Sequence, residues 1–190
     1  MVPNGMYLKH IASHFGEVSN LLARADLRAI DLLAGAVYET QRLERTIFTF
    51  GNGGSAATAL HFATNLFDLK RGPKARVNCL TSNVSVISAL ANDNGYDHIY
   101  DEQLEMLASP GDLAIAISAS GNSPNCVNGL MRAREIGMLT ACLVGFDGGN
   151  LVGLADYPVH VRCHSYRLVE DVHLVISHSI ASALSVKSAE

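Results

Sequence analysis

The chain has no tryptophan, only four cysteines and no long apolar run. Cys79, Cys126, Cys142 and Cys163 form no C-x-x-C pair. That spacing argues against a zinc knuckle or a dithiol redox motif and leaves buried thiols, since free cysteine behaves as a small hydrophobe. Apolar stretches stay well short of the ~18 residues that span a bilayer, and residues 1–20 carry His, Glu and Ser where a signal peptide would be apolar. A cytoplasmic protein with no membrane partner is therefore expected. Basic residues are also few, 14 Lys plus Arg against 18 Asp plus Glu, for a formal charge of −4. Nucleic acid, which usually calls for a basic face, is not an expected partner.

What the chain does have is a core's worth of apolar residues, 48% of 190, with 17% charged. That composition suits one globular domain over residues 1–190. Residues 5–45 read as two amphipathic helices. The first carries Leu8, Ile11, Phe15, Val18 and Leu22, and the second Ile30, Leu33, Val37 and, after a slip, Leu43. Such stripes must be buried on the rest of the domain or on another subunit, so the pair within 1–45 predicts a homo-oligomer.

From residue 46 the rhythm becomes short apolar runs at 46–50, 77–81, 112–118, 140–146 and 157–163. Helical segments separate them at about 55–67, 84–92, 97–107, 123–136 and 150–154, and a last one covers about 167–186. This predicts a doubly wound α/β fold, flavodoxin-like, with a five-stranded parallel sheet that binds its ligand at the carboxyl ends of the strands.

Two of those strand ends run into glycine–serine turns that open helices: G-N-G-G-S at 51–55 and S-A-S-G-N-S at 118–123. Exposed backbone N–H groups and a helix N-terminus suit a phosphate dianion. Ser55 and Ser123 fall at N-cap positions, while Ser118 and Ser120 can turn hydroxyls into the same hollow. One such turn could simply cap a helix; two in one domain favour a phosphorylated ligand. Neither matches the Walker P-loop, and Ala56 stands where a third dinucleotide-fold glycine would be, so the ligand should be smaller than a nucleotide.

At these residues the sequence resembles the sugar isomerase (SIS) domain, and within it the phosphoheptose isomerases. The resemblance rests on F-G-N-G-G-S-A-A-T-A-L-H-F-A (50–63), A-N-D-N-G-Y (91–96), P-G-D-L-A-I-A-I-S-A-S-G-N-S-P-N (110–125) and L-V-G-F-D-G-G (143–149). It implies a homotetramer whose N-terminal helices pack together, with active sites at subunit contacts. It places Asn52, Gly53, Gly54 and Ser55 on a substrate turn, Asn92 and Asp93 on a loop reaching the sugar, and Ser118, Ala119, Ser120 and Ser123 on the phosphate cradle. Ala119 stands where the family has threonine.

The resemblance also implies a zinc ion and proton-transfer groups drawn from a histidine and a glutamate one turn apart, then a glutamine and a histidine eight residues apart on the last helix. His61 and His178 keep the histidines, but Asn65 replaces the glutamate and Glu170 the glutamine. One carboxylate has crossed the site.

Interconverting a ketose and an aldose phosphate moves a proton between neighbouring carbons through an enediol, which needs a base, an acid and a stabilised oxyanion. Asn65 cannot serve as the base, so Glu170 inherits that role, with His178 opposite. His61, Glu170 and His178 are the expected zinc ligands. The expected activity is isomerisation of sedoheptulose 7-phosphate or a close phosphosugar. The alternative is a non-catalytic phosphosugar-binding regulator of the same fold. His10 and His14, spaced i, i+4, are expected to pack at an interface, and Asp171 and His173 to form a solvated face beside Glu170. Lys70 and Arg71 are offered for the phosphate or for a helix end.

Overall fold

The structure, a computed structural model, describes residues 5–67 and 76–187. Lys70 and Arg71 lie outside the described residues. Helices α1 (Leu8–Ala23) and α2 (Leu27–Arg42) come first, then β1 (Thr46–Gly51), α3 (Gly53–Phe67), β2 (Arg76–Cys79) and α4 (Val84–Asp93). A 3-10 turn at Tyr96–His98 leads to α5 (Asp101–Leu107), β3 (Leu113–Ser118), α6 (Pro124–Ile136), β4 (Leu139–Val144), α7 (Leu151–Leu154), β5 (Tyr157–His160) and α8 (Tyr166–Lys187). The sheet is five-stranded in the order β2-β1-β3-β4-β5, with every pairing parallel.

The apolar runs read as strands because both faces of the sheet are covered. Along β1, Ile47 joins one core with Leu33, Val37, Phe62 and Ile176, while Phe48 and Phe50 join the other with Tyr100, Leu104 and Leu130. Alternation at period two thus divides one strand between two apolar layers, and no polar face remains to break the run. Strand β5 stops three residues before the expected end. The Cys163 N–H turns back to the Val161 carbonyl at 2.8 Å, a tight turn that ends the ladder.

The two N-terminal helices differ in what covers them. Asp26 caps α2, its carboxylate accepting from the N–H groups of Arg28 (3.0 Å) and Ala29 (3.1 Å), and α2 buries Leu33, Ala36 and Val37. Helix α1 buries no residue completely; Val18, Leu21 and Leu22 lean on the core while Leu8, Ile11 and Phe15 stay exposed.

His173 corrects the expectation of a solvated face on α8. It is fully buried, and neither ring nitrogen has a hydrogen-bond partner. Burial pushes its pKa down from 6.5 to about 4; the Val144 carbonyl, outside hydrogen-bonding geometry, favours protonation less than burial opposes it, and His160 adds to the lowering. The native state therefore holds His173 neutral while the unfolded chain takes up a proton below about pH 6.5, so this residue costs stability as pH falls from there toward about 4. The full difference is on the order of 3 kcal/mol. His173→Leu, close in volume, is expected to flatten the fall in melting temperature across that interval. Parallel pH–melting curves for the two proteins would refute the assignment.

Candidate active site

Strands β1 and β3 are hydrogen-bonded neighbours, with Gly51 in register with Ile117. In the order β2-β1-β3-β4-β5 the chain reverses direction across the sheet at that pair, and such switch points are where open α/β sheets bind ligands. Both glycine–serine turns leave the sheet there.

The first turn differs in detail from the expectation. The Asn52 carbonyl accepts the Ala56 N–H at 3.2 Å, so Asn52 occupies the N-cap position of α3 and Ser55 lies buried inside the first helical turn. In the second turn Ser123 is the N-cap of α6, yet its hydroxyl makes no capping bond and sits 3.4 Å from the Ser118 hydroxyl. Two hydroxyls thus converge at a helix N-terminus, an arrangement suited to an anion. Ser120 is turned inward on its own loop, its Oγ accepting the Asn122 N–H at 3.2 Å. The Ala119 methyl belongs to the core with Val169.

The loop after β4 braces this second turn. Gly121 has φ +67°, and a β-carbon there would lie 2.1 Å from the Gly148 carbonyl oxygen, so only glycine allows the two loops to touch. The Leu151 N–H donates to the Gly121 carbonyl at 3.1 Å and the Asn150 N–H to Asn122 Oδ1 at 3.0 Å. Asn92 and Asp93 are the last two residues of α4, not loop residues; both are exposed, and Asn92 Nδ2 donates to Asp93 Oδ1 at 2.8 Å.

A polar cluster joins the turns to each other. Asn52 and Asn125 exchange side-chain hydrogen bonds, Nδ2 of Asn52 to Oδ1 of Asn125 at 2.8 Å and the reverse at 2.9 Å. Asn125 Oδ1 also accepts the Cys126 N–H at 3.0 Å, and Tyr96 donates its hydroxyl to Asn52 Oδ1 at 3.1 Å. Tyr100 donates to the Gly51 carbonyl, and burial, pushing its pKa up, keeps that hydroxyl protonated.

Glu170, near the start of α8, meets the first turn directly. A β-carbon on Gly54 would lie 2.3 Å from Glu170 Oε2, so the missing side chain at 54 is what admits the carboxylate. Burial first, and the adjacent Asp171 carboxylate second, push the Glu170 acid above the ordinary glutamate range. Asp171 itself pairs with His14 of α1 at 2.7 Å.

The remaining residues lie further along the same two helices. His61 of α3 and His178 of α8 meet with their Nε2 atoms 2.7 Å apart. Asn65, one turn beyond His61, keeps a buried Nδ2 without a partner. Glu170 and His178, eight residues apart, are separated by about 12 Å of helical rise. Among the described residues no three His, Cys, Asp or Glu side chains gather closely enough to hold a metal. The three expected zinc ligands do not fit one ion within one chain: two imidazoles are brought together and the carboxylate is elsewhere.

The profile of the SIS domain family matches residues 7–145. The chain belongs to this family. Among its curated relatives, the probable phosphoheptose isomerase of Thermoplasma acidophilum is 40% identical over 144 residues, covering 74% of this chain and 79% of that protein. The phosphoheptose isomerase of Aquifex aeolicus is 33% identical over 174 residues, covering 90% and 91%. Among solved structures, a phosphoheptose isomerase from Francisella tularensis superposes with a TM-score of 0.88 at 26% identity, covering 95% of this chain and 99% of its own.

In this SIS domain, then, the structure brings the two turns and Glu170 together and pairs His61 with His178 apart from them, while Asn125, Tyr96 and Tyr100, which join the turns, were not singled out from the sequence. The Glu170–Gly54 contact can be tested without any substrate. Gly54→Ala should favour α3 by about 1 kcal/mol on helix propensity alone. It must also drive the Glu170 carboxylate outward toward water. The expected outcome is an equal or higher melting temperature together with a Glu170 pKa, followed by carboxyl-carbon NMR, that moves down toward the ordinary glutamate value. An unmoved titration would show that the carboxylate does not rest on Gly54.

Proposed function

We propose that this SIS domain is an aldose–ketose isomerase acting on a phosphosugar, with sedoheptulose 7-phosphate and its aldose partner as the substrate pair. The observation that carries the reading is the meeting, at one switch point, of an anion cradle on the second turn and a carboxylate set over the first. The named relatives support the same substrate class. The phosphate docks at the N-terminus of α6 against Ser118 and Ser123. The other end of the sugar extends toward Asn52 and Glu170.

Glu170 is the proton-transfer base. It takes a proton from C1 of the hydroxy-ketone to give the enediolate and returns it to C2, while the C1 hydroxyl proton passes to O2 as the C1 carbonyl forms; its raised pKa makes it a stronger base than an ordinary glutamate. Asn65 takes no part in proton transfer, because an amide cannot accept and return a carbon-bound proton. Within one chain His178 lies too far along α8 to act on the same two carbons as Glu170. Its ring meets His61 instead.

Self-association belongs to the same proposal. Leu8, Ile11 and Phe15, at i, i+3 and i+7 on α1, are 69%, 50% and 69% exposed. A helix with no buried residue and a bare apolar stripe needs a cover, and we assign it to α1 of other copies, in a tetramer.

Three measurements test these points. Incubated with sedoheptulose 7-phosphate in deuterated water, the protein should introduce deuterium at C2, and Glu170→Gln should abolish that exchange. Exchange that persists in Glu170→Gln would remove the base assignment, and phosphosugar binding with no exchange even in the unaltered protein would favour the non-catalytic alternative. The rate should also fall with acid at a higher pH than an unperturbed glutamate would set, since only the ionised carboxylate takes up the proton. For assembly, Phe15→Asp is expected to yield a smaller species by light scattering; an unchanged mass would place the subunit contact elsewhere.

A further inference from the structure

We infer that Asn125 and Tyr96 are positioning residues that fix the side-chain amide of Asn52 as a hydrogen-bond donor toward the substrate oxygen that becomes the enediolate. The inference rests on the isomerase reading and assigns a specific role within it.

The orientation of both amides follows from one backbone group. Asn125 Oδ1 accepts the Cys126 N–H at 3.0 Å, and a main-chain N–H can only donate, so that atom is the oxygen. Asn125 Nδ2 is then the donor to Asn52 at 2.9 Å, which makes its partner Asn52 Oδ1, and Asn52 Nδ2 is left to donate back at 2.8 Å. Tyr96 fills the second lone pair of Asn52 Oδ1 at 3.1 Å. Tyr100, though 3.2 Å from the same atom, has its one hydrogen engaged by the Gly51 carbonyl.

The acceptor side of Asn52 is therefore saturated. Its one remaining capacity is the second hydrogen on Nδ2, at a half-buried residue on the mouth of the switch point. A donor held in place before the ligand arrives costs no reorganisation as negative charge develops on a substrate oxygen, which is the requirement for stabilising an enediolate. Asn125 is 1% exposed and sits in the first turn of the phosphate-binding helix, so the same residue that starts the anion site also orients the donor for the reacting end.

Asn125→Asp tests this at constant shape. An aspartate keeps an oxygen for the Cys126 N–H but sets a second oxygen against Asn52, so neither flip of the Asn52 amide satisfies the pair and the fixed donor is lost. Two ligands sharing one phosphate tail serve as probes: a sugar-phosphate hydroxamate, which mimics the enediolate, and the alditol phosphate of the same length. By calorimetry the unaltered protein should prefer the hydroxamate; Asn125→Asp, whose new charge weakens both ligands through their shared phosphate tail, should reduce that preference by about tenfold. Tyr96→Phe, which removes one hydroxyl from an exposed side chain, should reduce it by about threefold and carries the test if the aspartate variant does not fold. A general loosening of the site would weaken both ligands alike and leave the ratio in place. An unchanged ratio in the folded variants overturns the positioning role and leaves the isomerase reading standing. If neither ligand binds the unaltered protein, the isomerase reading falls and takes this inference with it.

Discussion

The parallel pairing of β1 with β3 is the constraint on which the site depends. Neighbouring strands in a sheet lie about 4.8 Å apart, so turns that leave adjacent strand ends are forced into contact distance of one small ligand. Nothing in the local sequence of either turn achieves this. Residues 51–55 and 118–123 are joined because the ladder aligns Gly51 with Ile117, and the Asn52–Asn125 exchange then ties together the two helices that start there. The second turn contributes hydroxyls and helix amides; the first contributes the Asn52 amide and the bare Gly54 on which the Glu170 carboxylate of α8 rests.

Most of the fold was legible because buried parallel strands and their covering helices have different apolar periods. The register of polar contacts was not. The apolar stripe of α8 runs through Val169, Val172, Ile176 and Ile180, and His173 stands at i+4 from Val169, inside that stripe. Its burial could have been read from spacing, but two polar neighbours, Glu170 and Asp171, made the segment look solvated. Asn125 is a different matter. Its partner is 73 positions away, and no periodicity in either helix signals that their amides meet. Asn125 and Tyr96 both close segments that carry the family resemblance, yet only the hydrogen bonds show what they hold.

The displaced carboxylate also has a local physical reason. At position 65 an acid would sit next to a histidine pair, more than three turns into α3; at position 170 it faces the first turn of α3, where unpaired amides and the positive end of the helix dipole favour negative charge. Desolvation and Asp171 act the other way and win, which keeps Glu170 basic. A glutamine there would feel neither effect. Placing the charge on 170 therefore brings the proposed base against the first turn while leaving an asparagine, Asn65, in the part of α3 that runs away from it.

Asp171 connects that base to the unpartnered helix. It bonds His14 across 2.7 Å, and the two side chains are 37% and 49% exposed, so solvent screening leaves the pair little stability to contribute. Its consequence is positional: the bond fixes α1 against the first turns of α8. The helix that leaves its apolar stripe exposed is thus the helix bonded beside Glu170, and the proposed assembly surface lies one residue removed from the proposed base.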